Sequence, residues 1–512
     1  MNLVAQPMRI PIDFDAAAIE SRQKVVRLMV AARAAQVRLS ATPLIQRLQS
    51  IRELRRLIAE NAMALAEASA GARHRPALES LSAEVLPLAE ACRFLERNAG
   101  EILAPRRLRS HDRPLWLAAI ESEIHREPLG VVLIIGPGNY PLLLLGVQLI
   151  QALAAGNAVL LKPGAGGSPA ARALSELVVR AGFDPELISL LPESIEAARA
   201  AIEAGPDKVL FTGSAANGEN VLAQLAPHLI PATMELGGCD AVIIRDDADL
   251  ALATKALVFG LTLNGGETCM SPKRVFVTAS LAQELERRLA HSLRPINKNG
   301  DLAAMQRPNL ARTPGARKLR RLIDDACDQG AHLIAGGISE DGDIATPLVV
   351  GRVSPSSSLL NEDIFFPFLV IVPVLNDQEA VFRANDCPFA LAVSIFSRDE
   401  SAACSVAAKV HAGTVMVNDL IIPTADPRLP FGGRRHSGFG STRGAEGLLE
   451  LTSPKVITVS RAQFRPAFDP PHAADKAIFE AYIKLAHGRG LKGRLAALFL
   501  LIRGVSRRRK SA

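Results

Sequence analysis

Four short apolar runs, separated by helix-sized intervals, constrain this chain more than any other feature. Val131-Val132-Leu133-Ile134-Ile135 ends at Gly136, Ala158-Val159-Leu160-Leu161 follows, and Leu187–Leu191 and Val209–Phe211 continue the series. Apolar runs of this length, interrupted only by Ser189, suit strands buried on both faces, because alternation is needed only where one face meets water. Pro141 and Gly156 stand where an intervening helix would take its first turn and its stop. Ser168-Pro169 reads as the N-cap and first residue of the next helix, with Gly182 as its end. This βαβα rhythm predicts a parallel sheet with helices on both faces.

A second α/β segment is expected after Gly238, with strands at Ala241–Ile244, Val275–Val277 and Leu369–Val374. Val415-Met416-Val417 opens a final stretch that contains Pro430-Phe431-Gly432-Gly433. Upstream, Arg22 to Leu39 and Leu44 to Ala70 carry apolar residues at helical spacing and predict a helical layer packed on a core. At 512 residues the chain exceeds one ordinary core, and it shows no internal repeat or low-complexity linker.

Composition excludes several classes. One Trp and two Tyr leave little aromatic surface for stacking on nucleic-acid bases. The net charge of +7 is a property of one end: residues 481–512 hold nine Lys/Arg and no acid, so the remainder carries 7 − 9 = −2. The six cysteines form no C-x-x-C pair and show no metal-ligand spacing, which fits a reducing, cytoplasmic setting and no metal centre. Met1 to Phe14 lacks an apolar h-region, so no secretory leader is expected.

Chemistry concentrates in a few places. Cys269, in Asn264-Gly265-Gly266-Glu267-Thr268-Cys269, is a candidate nucleophile; a free thiol has a pKa of about 8.5 and needs activation at neutral pH. Glu235, in Glu235-Leu236-Gly237-Gly238, is a candidate general base that could deprotonate water. Asn139, in Gly136-Pro137-Gly138-Asn139-Tyr140-Pro141, offers an amide donor to an oxyanion, with the Cys269 N–H as second donor. That hexapeptide half-matches G-x-G-x-x-G, but Pro141 stands where the third glycine belongs. Phe211-Thr212-Gly213-Ser214-Ala215-Ala216-Asn217-Gly218 follows a strand and opens a helix, compatible with a pyrophosphate cradle at Gly213, Ser214 and Gly218 or with a plain turn. Lys162 ends a strand, where open α/β sheets bind ligands.

Together these segments resemble the NAD(P)-dependent aldehyde dehydrogenase superfamily over roughly residues 120–460, in order and separation as well as in letters. The resemblance implies an α/β fold of two doubly wound open-sheet domains, one Rossmann-like for the cofactor and one catalytic, with a small bridging or oligomerisation segment. The expected boundaries are 1–235 for the N-terminal helices and dinucleotide-binding domain, 236–417 for the catalytic domain, 418–465 for the bridging segment and 466–512 for a basic tail. By resemblance Cys269 is the nucleophile, Glu235 the base that hydrolyses the thioester and Asn139 the oxyanion donor. Lys162 and Ser214 resemble contacts to the cofactor's ribose and phosphate. Asp363 stands where the family has a Glu on the nicotinamide-side ribose, and Phe365 where a Phe packs near the nicotinamide. Glu267-Thr268-Cys269-Met270-Ser271-Pro272 and Asn418-Asp419 look most like the branch acting on fatty, aromatic and other apolar aldehydes.

Four positions depart from the family pattern. K-P-S-E reads Lys162-Pro163-Gly164-Ala165, and the missing Glu leaves the choice of NAD or NADP open. Gly138 replaces an aromatic residue, Glu267 replaces a Gln and adds a negative charge near Cys269, and Phe366 replaces a Gly. An ionised Glu267 is expected to raise the thiol pKa.

The tail carries Leu495–Ile502, eight apolar residues flanked by Arg and Lys, too short to cross a bilayer. It suits peripheral contact with an anionic membrane through residues 481–512, a solvated tail, or docking on a partner subunit. The expected partners are a small apolar aldehyde and a second copy of the chain in a homodimer or homotetramer, with no nucleic acid. A CoA-acylating dehydrogenase or acyl reductase, and a catalytically silent membrane-associated member, are the competing readings.

Overall fold

The computed structural model describes residues 16–70, 75–111, 113–293, 314–338, 344–462 and 468–511. The stretch read for a secretory leader, residues 1–14, lies outside them. The chain divides into two compact units, residues 1–104 with 125–455, and residues 105–124 with 456–512.

Both expected sheets lie in the first unit. The first has six strands in the order Gly438–Phe439, Ala232–Leu236, Lys208–Gly213, Val131–Ile135, Ala158–Lys162 and Ile188–Leu190. The five strands from 131 to 236 pair in parallel, and only Gly438–Phe439 is antiparallel. The chain starts at the central strand 131–135, moves outward to 158 and 188, then returns to 208 on the other side. This reversal creates a switch point between strands 131–135 and 208–213, the place where open α/β sheets receive ligands. The loop bearing Asn139 and the turn bearing Ser214 both leave the sheet there.

The second sheet has seven strands in the order His332–Ile338, Ile344–Gly351, Phe368–Val374, Pro272–Thr278, Asp240–Ile244, Ala392–Phe396 and Thr414–Val417. All neighbours run parallel except the first pair. Its apolar side chains, among them Val242, Ile244, Val275, Leu369 and Phe396, are buried against helices Leu250–Thr262 and Ala279–Ser292.

The expected helical layer is present. Helices Ala16–Ala41, Leu44–Glu60, Ala62–Ala70 and Leu86–Ile102 bury Val25, Met29, Ile51, Leu54, Leu88 and Leu95 in one core with strands 131–162. The long run from Leu44 breaks at Asn61, whose side-chain amide donates to the Leu57 carbonyl at 2.7 Å. Helix Leu143–Ala155 is buried on every side and ends at Gly156, left-handed at φ 95°. The next helix starts at Ser168, so Gly167 rather than Ser168 is its cap residue. The capping acceptor is Glu193, whose carboxylate accepts from the Gly166 and Ser168 N–H groups at 2.8 Å each.

In the second unit, Arg106-Arg107 pairs antiparallel with Glu123-Ile124. Helices Asp475–His487 and Leu491–Ser511 form a hairpin in which Gly504 packs on Ile478. The basic tail is thus helical. Among the described residues, no helix is long and apolar enough to cross a membrane.

Candidate active site

A cleft of about 300 Å³ brings together seven of the nine sequence-derived candidates: Asn139, Gly213, Ser214, Glu235, Cys269, Asp363 and Phe365. Pro137, Leu144 and Leu236 supply apolar wall. Lys162 and Gly218 are not part of this lining. Lys162 ends its strand largely buried, and burial lowers its pKa while Glu193 opposes the shift. Gly218 lies on helix Ala215–Leu225, where a Cβ would press on the Leu236 side chain at 2.7 Å.

Cys269 follows a turn built from three successive left-handed residues, Asn264 at φ 54°, Gly265 at 63° and Gly266 at 77°. Asn and Gly are the residues that tolerate this conformation, which accounts for the local composition. Gly266 is required twice, because a Cβ there would also overlap Pro367. The Asn264 amide donates to the carbonyls of Asn139 at 3.0 Å and Glu267 at 3.1 Å, tying the Cys269 loop to the Asn139 loop. The Asn139 amide donates to the Glu267 carbonyl at 3.2 Å. An amide nitrogen has two hydrogens, so this bond leaves one for an oxyanion. Tyr140 and Thr268 join the same two loops through hydroxyls 2.6 Å apart.

Cys269 is half-buried and packs beside Met270, Leu391 and Phe431. Burial raises its thiol above the ordinary value. The charges of Glu235 and Asp240 add to the rise, while Arg443 and the Met270 N–H oppose it. The anionic neighbours that raise it are Glu235 and Asp240.

Glu235 sits near the end of strand Ala232–Leu236, buried at 2% exposure. One carboxylate oxygen accepts from the Thr442 hydroxyl at 3.2 Å; the other, also buried, has no hydrogen-bond partner among the described residues. Burial raises this carboxyl's pKa, against the Arg443 charge and the Thr442 hydrogen bond. Arg443 is held by the Thr424 carbonyl at 2.6 Å and lies over the Phe431 ring at 4.8 Å. The Pro430-Phe431-Gly432-Gly433 motif therefore acts here through Phe431, which touches the surroundings of both Cys269 and Arg443.

Asp363 packs under Gly237, where a Cβ would overlap its carboxylate. Burial raises the Asp363 carboxyl to about 6, opposed by the charge of Lys273. Lys273 is lowered by its own burial to about 8, with Asp363 opposing. Its ammonium donates to the Phe366 carbonyl at 2.5 Å and lies 4.9 Å from the Phe368 ring centre. The Phe366 that departs from the family pattern is itself buried at 1% exposure.

Several supporting residues escaped the sequence reading. Glu84 and Arg75 form a fully buried ion pair. Glu84 accepts from the N–H groups of Leu142 at 2.7 Å and Leu143 at 3.0 Å, satisfying the start of helix Leu143–Ala155. Arg75 donates to the Asn139 carbonyl at 3.4 Å and lies 5.2 Å from the Tyr140 ring centre. Glu79 accepts from the Asn264 N–H at 2.6 Å. The N-terminal helical layer thus grips both loops from behind.

The features that would receive a dinucleotide are consistent with one another. Ser214 caps helix Ala215–Leu225 at the switch point, its hydroxyl accepting from Asn217 N–H at 3.4 Å. Gly213 leaves no room for a Cβ, which would lie 2.6 Å from the Phe211 ring. A helix N-terminus approached by bare backbone suits a phosphate.

The aldehyde dehydrogenase family model matches residues 15–457. The chain is 30% identical to 4,4'-diapolycopene aldehyde oxidase of Methylomonas sp. over 458 residues, covering 87% of this chain and 84% of that protein. It is 32% identical to aldehyde dehydrogenase family 3 member A2 of Mus musculus over 423 residues, covering 82% and 85%. Among solved structures, betaine aldehyde dehydrogenase from Staphylococcus aureus in complex with NAD+ superposes with a TM-score of 0.78 at 27% identity, covering 88% of this chain and 90% of that one. The match runs through both sheets and every loop that lines the cleft, and the chain belongs to the aldehyde dehydrogenase family.

Proposed function

We propose that this chain oxidises an apolar aldehyde to its carboxylic acid: RCHO + NAD(P)⁺ + H₂O → RCOO⁻ + NAD(P)H + 2 H⁺. The observation that carries this reading is the convergence of Cys269, Glu235 and Asn139 on one cleft in a chain of this family. When bound, NAD(P)⁺ supplies a positive ring near the thiol and the hydride acceptor. Ser214, Gly213, Lys162, Asp363 and Phe365 are the residues that would hold it. Solved relatives include complexes with NAD+ and with NADP, which supports either dinucleotide.

The Cys269 sulfur attacks the aldehyde carbon, and the second Asn139 amide hydrogen and the Cys269 N–H receive the developing oxyanion. Loss of one such donor typically lowers the rate by about 10²–10³. Oxidation leaves a thioester on Cys269. Glu235, whose second oxygen is buried without a partner among the described residues, takes a proton from the water that hydrolyses it. A raised carboxyl pKa brings the base closer to the working pH. Leu144, Leu236 and Phe365 in the wall favour an apolar substrate, as do relatives named for diapolycopene and diaponeurosporen aldehydes. Residues 1–235 form the cofactor side, 236–417 the nucleophile side and 418–465 a bridging and oligomerisation segment, with a homodimer or homotetramer as the working assembly.

The test is reduced-cofactor formation by purified protein with a medium-chain aldehyde, NAD and NADP offered separately. Cys269→Ser should lose turnover. Glu235→Gln should give a burst of reduced cofactor and little steady-state rate. A Glu235→Gln variant that turns over normally only when CoA is added would overturn hydrolysis in favour of acyl transfer. No reduced cofactor with short, medium or aromatic aldehydes would leave the silent-member reading.

A further inference from the structure

Residues 363–366 alternate between cleft and core. Asp363 and Phe365 line the cleft, while Ile364 and Phe366 are buried at 2% and 1% exposure in the core of the second sheet. This is the alternation of an extended chain, whose register decides which side chains reach a given side. A slip of one residue would turn Asp363 and Phe365 inward.

A side chain from outside the segment holds that register. Lys273 lies at the start of strand Pro272–Thr278, four residues after Cys269. Its ammonium donates to the Phe366 carbonyl at 2.5 Å and lies 4.9 Å from the Phe368 ring centre. The same carbonyl accepts from the Phe368 N–H at 2.9 Å, a bond within the segment that fixes it to no neighbour. Strands Pro272–Thr278 and Phe368–Val374 pair only from Arg274 and Val370 onward. The Lys273 bond therefore ties the segment to the strand that follows Cys269 before the ladder begins. From the Cys269 loop itself, Gly266 packs on Pro367.

Burying an ammonium is costly unless its charge meets partners. Lys273 is 2% exposed, and an apolar side chain would fill the same space without that cost. Its charge acts on Asp363, opposing the rise that burial gives this carboxyl. Glu362 adds to the rise, and Lys318, ion-paired with Glu362, opposes it. Cys239 and Asp240 are the other titratable groups that face Lys273.

We propose that Lys273 is a positioning residue for the dinucleotide: by holding the Phe366 carbonyl it fixes the register that presents Asp363 and Phe365 to the cleft. The role rests on the reading of this cleft as the dinucleotide site. The Lys273 charge also favours the ionised form of Asp363, the form that would accept from ribose hydroxyls.

Lys273→Met in the full chain removes donor and charge at similar length. In the free protein, amide exchange over residues 361–368 should quicken roughly tenfold, the order of one charge-assisted hydrogen bond, while strand Asp240–Ile244 keeps its protection. Fluorescence titration with NADH and NADPH, without aldehyde, should show several-fold weaker binding at neutral pH. The pH below which binding weakens, about 6 in the parent, should move upward. Lys273→Arg, which keeps the charge and the donors, should recover part of both effects. Unchanged exchange over residues 361–368 would overturn the proposal. So would weaker binding that keeps the parent's pH midpoint, the mark of general loosening. Exchange is read without cofactor, so a parent that binds neither dinucleotide would defeat the reading of the cleft while the exchange result still decides the register.

Discussion

Gly138 and Gly164 pack backbone to backbone, so that a Cβ on Gly164 would overlap the Pro137 carbonyl carbon and the Gly138 nitrogen. A Cβ on Gly138 would in turn lie 2.6 Å from the Ala165 carbonyl oxygen. Two departures from the family pattern, one beside Asn139 and one after Lys162, are thus a single packing solution. Gly164→Ser should cost about 1–3 kcal/mol by overpacking. It should also lower kcat/KM, because a displacement of about 1 Å near the chemistry can cost roughly 10² in rate. Thermal melts and steady-state kinetics on one preparation check both.

Ala165 is exposed and has room to change. It occupies the place of the family's ribose-gripping Glu. Ala165→Glu should leave stability within about 0.5 kcal/mol of the parent, as expected for a surface site. It should shift preference towards NAD, because a carboxylate there repels the 2′-phosphate of NADP. The ratio of kcat/KM for the two dinucleotides measures it; an unchanged ratio would show that the adenosine end is gripped elsewhere.

The buried Arg75–Glu84 pair should be expensive to break. Arg75→Met strands the Glu84 carboxylate, whose pKa burial already raises against the pull of Arg75. Removing one partner of a buried pair typically costs about 3–5 kcal/mol. Adding Glu84→Leu should recover only part of this, because the Leu142 and Leu143 N–H groups lose their acceptor. Denaturant midpoints of the two variants test the ordering.

This support for the site was invisible in the sequence for a geometric reason. Glu84 lies 58 residues from Leu142, Glu79 lies 185 from Asn264, and Thr442 lies 207 from Glu235. No local pattern links such residues. The strands at Val131–Ile135 and Ala158–Lys162 were legible because burial on both faces leaves an unbroken apolar run. Strand Ala232–Leu236 was not, because Thr233 and Glu235 interrupt its run while remaining buried. The residue that hides this strand is the one proposed to act as base. Asn264-Gly265-Gly266 was visible as a motif, but its three left-handed residues and its bridge to Asn139 emerged only with the backbone.

Asp363 gives a pH dependence with a definite sign. Its carboxyl is raised to about 6 by burial, so the charged form, which would accept from ribose hydroxyls, prevails above that pH and is lost below it. KM for the dinucleotide should rise as pH falls through about 6. Asp363→Asn should raise KM at neutral pH and flatten the profile. A KM that stays constant as pH falls through about 6 would exclude Asp363 from ribose binding.

The C-terminal hairpin presents an apolar stripe whose occupant we take to be an anionic lipid surface. Leu491, Leu495, Leu498, Phe499 and Ile502 recur at helical spacing on helix Leu491–Ser511, and all are exposed, Phe499 at 66%. Phe479 and Ile483 on the preceding helix are exposed as well. Nine Lys/Arg and no acid between residues 481 and 512 give the charge complementarity. An apolar face flanked by basic residues is the pattern of helices that lie in a membrane interface. Each basic group near an anionic surface adds roughly 1 kcal/mol, screened by salt. Co-sedimentation should therefore be strong with phosphatidylserine vesicles at low salt, weak with phosphatidylcholine alone, and reduced by Phe499→Glu. Binding that ignores lipid charge, or a Phe499→Glu variant that sediments like the parent, would remove the membrane as the partner of this stripe. A change of oligomeric state in Phe499→Glu would instead assign the stripe to a second copy of the chain.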